Sequence, residues 1–345
     1  MTLIGMLHHR SNPNNVKKAY AYAAVAKAEG VNFFYFTPGN VNLEKQKILG
    51  KAYENGKWIE KEFPFPDAIY NASYPVSDKA EQVFDYLSER IPFTSHSIGD
   101  KLTVYNRIKQ AKEFEQYLIP FKVLTDVQIF FDMIKRYKKV IIKPRSGHQG
   151  GGIVLIEKHG TNHYKINEAG ILSTIDEKQL LNLISNKIQE PDYLVQRFIS
   201  SQTKSGLVFD FRLHVQKNGE GKWVITSIYP RIGRFGTITS NMGSGGYSAY
   251  LDIFLKTEFD NSWYDIQRYL EQFALSFSNH FDSLYDNESL DELGIDVGID
   301  ENQKLWLFEV NWRPGPPTIY SVELDVVKNT ILYAKYLADT NKGHI

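Results

Sequence analysis

The sequence predicts an α/β protein of the α+β type, divided into three successive units within 345 residues. Strands and helices alternate as β-α-β over residues 1–96, which is typical of a small sheet with parallel pairing. A strand, a glycine-rich loop and a second strand occupy the middle of the chain. The last third combines apolar strands with one long amphipathic helix, so each unit has the residues for its own core.

The first unit opens with an apolar strand and a helix whose end is marked by Gly30, because glycine adopts the left-handed conformation that ends many helices. The interval from 1 to 96 is predicted to contain strands at 3–8, 31–36, 56–60 and 67–71, and helices at 16–28 and 78–90. This alternation favours a small sheet domain with parallel pairing.

The second and third units are predicted from the same periodicities. The second contains helices at 101–117, 127–137 and 177–188, and strands at 140–143, 153–157, 163–166 and 193–198. The third contains strands at 208–216, 223–231, 295–299 and 305–310, and helices at 262–284 and 322–338. The predicted domain bounds are therefore 1–96, 97–200 and 201–340.

Composition excludes several classes of function. The 40 Lys and Arg residues balance 40 Asp and Glu residues, and a general nucleic-acid binder needs a basic surplus, so no nucleic-acid partner is expected. The absence of cysteine excludes disulfides, thiolate zinc sites and cysteine nucleophiles. The N-terminus lacks the order of a secretory signal, and no apolar stretch reaches the ~18 residues of a membrane span, so we expect a cytoplasmic protein without a membrane partner.

The glycine-rich loop after the strand that ends in Lys143 is a candidate phosphate site. Gly147, Gly150 and Gly151 would let backbone N–H groups approach an anion, and Lys143 would place a cation beside it. The loop matches neither a Walker A motif nor the dinucleotide fingerprint. A plain glycine-rich hairpin between two strands is the alternative interpretation.

Two carboxylates and one amide on the last two strands are candidate magnesium ligands. A two- or four-residue turn between these strands would pair Asp296 with Leu307 and place Asp296, Glu309 and Asn311 on one face, whereas an odd-length turn would not. Magnesium prefers such oxygen ligands, together with water and phosphate oxygens. The alternative is that Glu309 and Asn311 simply face solvent at a strand end.

These residues resemble the ATP-grasp superfamily over residues 97–338. The matching segments, in the order of the family, are Gly99-Asp100-Lys101, Leu118-Ile119-Pro120 with Thr125, residues 140–152, residues 193–199, Phe209-Asp210-Phe211-Arg212, Ser240-Asn241, and Glu309-Val310-Asn311-Trp312-Arg313-Pro314-Gly315. The segments at 56–58 and 64–71 and the loop after Lys143 further resemble the endospore-coat-associated YheC/YheD-type members.

The resemblance implies the ATP-grasp fold, in which two α+β lobes clasp ATP and are preceded in the chain by a small Rossmann-like pre-ATP-grasp domain. It implies ATP contacts at Lys101, Lys143, Gly147, Gly150, Gly151, Gln196, Arg197, Phe198, Asp210 and Asn241. It also implies that Asp296, Glu309 and Asn311 hold Mg²⁺.

Two positions depart from the family pattern. Arg197 stands where the hinge usually has glutamate, but the hinge works mainly through backbone groups, so ATP binding should survive. Thr239 precedes Ser240 where related ligases often carry arginine. The transferring phosphate would then be neutralised by Arg212, Arg231 or Arg234, the candidate catalytic residues.

The implied reaction is ligation of a carboxylate to an amine through an acyl phosphate, on an amino-acid or peptide-like substrate. Two alternatives stay open: a nucleotide-binding structural component of a spore layer, and a kinase that phosphorylates a hydroxyl. A homodimer, spore-coat protein partners and an endospore location also stay open.

Overall fold

The computed structural model of the protein describes residues 1–145, 152–190, 193–240, 243, 245–285, 289–315, 317 and 322–341. The predicted nucleotide contacts Gly147, Gly150, Gly151 and Asn241 lie outside these residues. Within them the chain forms three β-sheets that follow one another along the sequence, each packed against helices.

The N-terminal sheet is mixed. It contains β1 (Leu3–Leu7), β2 (Asn32–Phe36), β3 (Val41–Asn42), β4 (Lys47–Glu54), β5 (Lys57–Pro64) and β6 (Ala68–Asn71), in the order β3-β4-β2-β1-β6, with β5 paired to β4. The central strand β1 runs parallel to both β2 and β6, which confirms the predicted parallel pairing. Helix α1 (Lys17–Ala28) packs on one face and α2 (Asp78–Ser88) on the other.

Strand β4 was not predicted, because Gly50 interrupts its apolar pattern. The structure explains this glycine: the ring of Phe34 occupies the space that a Cβ on Gly50 would need.

The middle sheet is antiparallel throughout. It contains β7 (Phe121–Val123), β8 (Lys139–Pro144), β9 (Val154–His159), β10 (His163–Glu168), β11 (Ile171–Asp176) and β12 (Tyr193–Arg197), in the order β11-β10-β9-β8-β12-β7. Helices α4 (Val127–Tyr137) and α5 (Glu177–Gln189) contribute Phe130, Ile134, Leu180 and Ile184 to its core. The edge strand β11 was not predicted, because its side chains are nearly all exposed and show no apolar alternation.

The C-terminal sheet is also antiparallel. It contains β13 (Phe209–Lys217), β14 (Trp223–Ile232), β15 (Tyr247–Ser248), β16 (Glu292–Ile299) and β17 (Leu305–Asn311), in the order β15-β14-β13-β16-β17. Helices α6 (Leu251–Phe259) and α7 (Trp263–Asp282) pack on it. The apolar stripe of α7, including Phe273 and Phe277, lies in this core.

Two helices cross the predicted domain bounds, although the strands respect them. Helix α3 (Lys101–Ala111) buries Val104 and Ile108 in the core of the C-terminal sheet. Helix α8 (Glu323–Asn341) buries Val327 and Ile331 against the N-terminal sheet. The predicted helix at 101–117 is too long, because Lys112 adopts a φ of +67° and ends α3. None of the helices in the described ranges is long and apolar enough to cross a bilayer.

Candidate active site

A cavity of about 360 Å³ opens between the middle sheet, the C-terminal sheet and the first residue of α3. Its walls come from segments that are far apart in sequence, from Lys101 to Asn311. The predicted site residues that line it are Lys101, Lys143, Gln196, Arg197, Phe198, Asp210, Arg212, Arg231, Asp296, Glu309 and Asn311.

Asp296 and Glu309 lie directly opposite each other on β16 and β17. The predicted pairing of Asp296 with Leu307 is wrong, because the turn spans residues 300–304 and is therefore odd in length. Leu307 pairs with Val297, and the register then shifts by one residue, so that Asp296 meets Glu309. A β-bulge thus restores the shared face that the odd turn would have removed.

The residue added by this bulge is Phe308, and it determines which side chains enter the cavity. Before the bulge, Leu305 and Leu307 face the core of the C-terminal sheet, as Val310 does after it. Phe308 and Glu309 both line the cavity, as the two residues of a bulge can when they share one side of the strand. Simple alternation along an unbroken strand would put Leu307 and Glu309 on one face, and the bulge places them on opposite faces.

The buried end of the cavity is an ion-pair network on β13, β14 and β16. Arg212 donates to Asp296 through Nε at 2.5 Å and Nη2 at 3.2 Å. Arg231 donates to Asp210 through Nε at 2.8 Å and Nη2 at 2.5 Å, and its Nη2 also lies 2.9 Å from Asp296 Oδ2. Burial alone would raise the pKa of Asp296, but Arg212 and Arg231 outweigh it and lower that pKa below its usual value. Asp296 is therefore ionised.

At the open end of the cavity, the charged side chains are more exposed and less closely paired. Lys101 Nζ lies 3.4 Å from Glu309 Oε1, and the two side chains are 23% and 34% exposed. Asn311 lies two residues further along the same strand and also lines the cavity. A pair this open contributes little to stability, so a ligand can separate it at small cost.

Lys143 and Tyr105 connect the two lobes inside the cavity wall. Tyr105 Oη donates to the carbonyl of the bulge residue Phe308 at 2.5 Å, and Lys143 Nζ donates to Tyr105 Oη at 3.4 Å. Burial lowers the pKa of Lys143 to about 8, and the charge of Glu309 partly opposes this shift. Burial raises the pKa of Tyr105, so its hydroxyl stays protonated as a donor.

Tyr105 was not identified from the sequence. A signal was available, because Lys101 and Tyr105 lie four residues apart on α3 and so share one face of the helix.

In the hinge segment, residues 193–199, two of the backbone groups implied to contact ATP make hydrogen bonds within the protein. The backbone N–H of Arg197 donates to Pro120 O at 2.9 Å, and that of Phe198 donates to Lys139 O at 3.1 Å. Neither N–H is therefore open to a base. Gln196 is only 1% exposed, and its Nε2 has no hydrogen-bond partner among the described residues. A buried donor without an acceptor in a cavity wall fits an acceptor atom on a ligand.

Among the predicted site residues that the structure describes, Arg234 is the one that does not line the cavity. Its Nε donates to Gly245 O at 2.9 Å in an exposed contact just beyond the end of β14. Thr239 and Ser240 do line the cavity. The arginines at the predicted phosphate site are thus Arg212 and Arg231, both held by carboxylates.

Comparison with known proteins agrees with this architecture. Residues 90–337 match the family described as YheC/D like ATP-grasp. The chain belongs to this family. A curated relative, the endospore coat-associated protein YheD of Bacillus subtilis (strain 168), is 26% identical over 324 residues, covering 89% of this chain and 70% of the relative.

Two solved structures share the ATP-grasp fold with this chain. N5-carboxyaminoimidazole synthetase from Staphylococcus aureus has a TM-score of 0.57 at 14% identity, covering 97% of this chain and 77% of its own. The ATP-grasp ligase PsnB, complexed with a minimal precursor, Mg and ADP, has a TM-score of 0.55 at 10% identity, covering 97% and 98%. The predicted family and fold are therefore confirmed.

The oxygen atoms at the open end of this ATP-grasp cavity fit a magnesium ion. Glu309 and Asn311 offer a carboxylate and an amide oxygen on one strand face. Asp296 already accepts from Arg212 twice and lies beside Arg231, which leaves about one of its roughly four acceptor positions. No group of three or more His, Cys, Asp or Glu side chains in the described segments could hold a metal. Phosphate oxygens or water would have to complete the coordination of magnesium here.

Proposed function

We propose that this protein is an ATP- and magnesium-dependent ligase that joins a substrate carboxylate to an amine. One observation carries the proposal: a single cavity contains two lysines from different lobes, two arginines, and the oxygen ligands Glu309 and Asn311. Among the described residues, five cationic side chains and three carboxylates line the cavity, and this cationic surplus favours a polyanion such as a triphosphate.

The reaction would proceed in two displacements. A carboxylate oxygen of the substrate attacks the γ-phosphorus of ATP, which breaks the bond to the β-phosphate oxygen and gives an acyl phosphate and ADP. The amine then attacks the acyl carbon, loses a proton and expels inorganic phosphate, which leaves an amide. Such chemistry depends mainly on positioning and charge neutralisation.

The lysines and arginines would supply that neutralisation. Lys101 would leave Glu309 and turn to a phosphate, since their 3.4 Å pair is open and weak. Arg212 and Arg231 hold their carboxylates through Nε and Nη2, and Nη1 of each has no hydrogen-bond partner among the described residues. Each Nη1 is thus a donor that could contact the transferring phosphoryl group or the substrate carboxylate.

Magnesium would neutralise phosphate charge beside Glu309 and Asn311. The similar protein PsnB was solved with Mg and ADP, which supports this cofactor pair. Asp210 and Asp296 would act mainly by holding the arginines in place, since both carboxylates are paired already.

The direct test is ADP release by the purified protein with ATP and magnesium, across pools of amino acids, dipeptides and polyols. The proposal expects release only when a carboxylate and an amine are both present, with mass spectrometry detecting the amide. ADP release with polyols alone would instead support a kinase that phosphorylates a hydroxyl group.

A second candidate is a nucleotide-binding structural component of the endospore. It is favoured by the similarity to YheD, whose name describes association with the endospore coat. ATP binding without ADP release in any pool would support this candidate over the ligase, and in that case coat proteins become the expected partners.

A further inference from the structure

A second cavity, of about 280 Å³, lies in the N-terminal domain, and the described residues that line it differ from those that line the first. It is at the carboxyl ends of the parallel strands: His8 and His9 follow β1, residues 37–39 follow β2, and residues 73–77 follow β6. Strand β1 lies between β2 and β6, and helices α1 and α2 cover opposite faces. Ligands bind open parallel sheets at such points, where the strand order reverses.

His8 offers a hydrogen-bond donor to this cavity. Its side chain is largely buried, with 9% of the residue exposed, and it lines the cavity. The backbone N–H of Arg10 donates to His8 Nδ1 at 3.0 Å, so a neutral His8 ring carries its proton on Nε2. Within the described part of the chain, no group accepts from Nε2. Burial, together with the charges of His9, Arg10 and Arg313, lowers the pKa of His8 to about 4, which keeps the ring neutral.

The neighbouring wall favours an anion. Ser77 caps α2 by accepting from Ala80 N at 3.3 Å, and the N–H groups of Asp78 and Lys79 in the same turn have no acceptor in the described ranges. Lys79 and His9 line the cavity, and no Asp or Glu side chain is among those of its lining residues that the structure describes. The N-terminus of an eleven-residue helix and a nearby ammonium group both stabilise negative charge.

The rest of the wall is mainly apolar, with Leu7, Pro38, Val76 and Phe84 around the polar end. Tyr74 forms part of the rim and is 65% exposed. A ligand that fits both parts of this wall needs a compact apolar body beside its charged group.

Arg313 links this wall to the first cavity. Its Cζ lies 5.5 Å from the ring centroid of Tyr74, and its Nη1 donates to Asn71 O at 3.5 Å. Arg313 also lies two residues beyond Asn311 in sequence. The second cavity is therefore connected through one side chain to the strand that carries Glu309 and Asn311.

We propose that this second cavity binds a small organic anion, a carboxylate or phosphate carried on a compact apolar body. His8 Nε2, Lys79 and the first turn of α2 contact the anionic group, and the apolar wall contacts the body. A role for this site in recognising the non-reacting end of a ligase substrate rests on the proposed function, whereas the binding itself does not.

The test is calorimetric titration of the full chain, without ATP or magnesium, with phenylacetate and with phenyl phosphate. We expect at least one to bind, and the tighter of the two identifies the anionic group. The neutral phenylacetamide should bind about tenfold more weakly or not at all, and inorganic phosphate should bind weakly for lack of an apolar body. Equal binding of phenylacetamide, or no binding of either anion at millimolar concentration, would overturn the proposal.

Single-residue variants test whether the anion binds in this cavity. Lys79→Ala and His8→Phe should each weaken the anion about three- to tenfold, and His8→Gln should recover part of the loss by keeping an N–H near the position of Nε2. Lys57→Ala is the matched control, because Lys57 is an exposed lysine of the same domain that does not line the cavity. An equal effect of Lys79→Ala and Lys57→Ala would contradict this location.

Thermal unfolding of each variant checks that the variant is folded. Lys79 is exposed, so the Lys79→Ala substitution should leave the fold intact. Because the titration contains no nucleotide, its outcome is independent of ADP release. Anion binding without turnover would support the second-cavity site and contradict the proposed ligase activity. Turnover without anion binding would support the ligase activity and contradict the second-cavity site.

Discussion

The two ends of the first cavity contain charged side chains of both signs, but these side chains are paired differently at each end. At the buried end, Arg212 and Arg231 are 11% and 14% exposed and their carboxylate partners 7%. At the open end, Lys101 and Glu309 are 23% and 34% exposed and make one 3.4 Å contact. The buried end is therefore a scaffold, and the open end is free to rearrange around a ligand.

This difference follows from solvation. A charge removed from water must be paired and hydrogen-bonded, so breaking a buried pair is costly. An exposed pair gains about 0–1 kcal/mol, since water already solvates both partners. Substitutions at the two ends should therefore affect different properties of the protein, and the following predictions are in order of expected size.

The largest effect is expected for Glu309→Gln, which keeps the shape of the side chain but removes its charge. Loss of a magnesium ligand at the transferring phosphate should lower ADP release about a thousandfold, several kcal/mol of activation free energy. The free energy of unfolding, measured by urea denaturation, should change by no more than about 1 kcal/mol. Turnover at the wild-type rate would show that Glu309 holds no essential metal.

Arg231→Leu should lower the stability of the fold, which Glu309→Gln should not, because it leaves the buried carboxylate of Asp210 without its partner. The free energy of unfolding should fall by about 3–5 kcal/mol. Arg234→Leu is the matched control: Arg234 is exposed, and among the described residues its side chain donates only to the carbonyl of Gly245, so its loss should cost less than about 0.5 kcal/mol. Equal stability of the two variants in urea would mean that the buried network is not a scaffold.

Lys101→Met should weaken nucleotide binding by about ten- to a hundredfold, the value of one charge-assisted phosphate contact. Its free energy of unfolding should stay within about 1 kcal/mol of the wild type, because the contact with Glu309 is open. Calorimetric titration with magnesium and ATP measures the affinity. An unchanged affinity would place the triphosphate elsewhere.

The smallest effect is a pH dependence from Lys143, whose pKa burial lowers to about 8. Below pH 8 the ammonium group is present and attracts phosphate. Above pH 8 the free protein loses this proton, and a bound triphosphate must recover it, so ATP affinity should fall by up to about tenfold per pH unit. Titrations between pH 7 and about 9.5 should show this slope in the wild type and a flat profile in Lys143→Met. The same slope in both would assign it to another group.

The predicted shared face of Asp296 and Glu309 illustrates the limit of reading a register from sequence. Strand side chains alternate between faces, but the sequence does not give the length of the turn that sets the register. The turn proved odd, and the bulge at Phe308 compensated. The hydrogen bond from Tyr105 to the carbonyl of Phe308 joins α3 to this bulge across 203 positions of sequence, a contact that no local pattern can indicate.

By itself the sequence determined the family, the three sheets and all of the described charged residues that line the first cavity, because strand periodicity and motif spacing are local properties of the chain. Only the tertiary structure decided that α8 packs on the N-terminal sheet and α3 on the C-terminal sheet. It also decided that Arg212 and Arg231 are held by Asp296 and Asp210, and that Arg234 is not in the cavity. These outcomes depend on which apolar faces meet and which charges are buried together, and both are set by contacts between residues far apart in sequence.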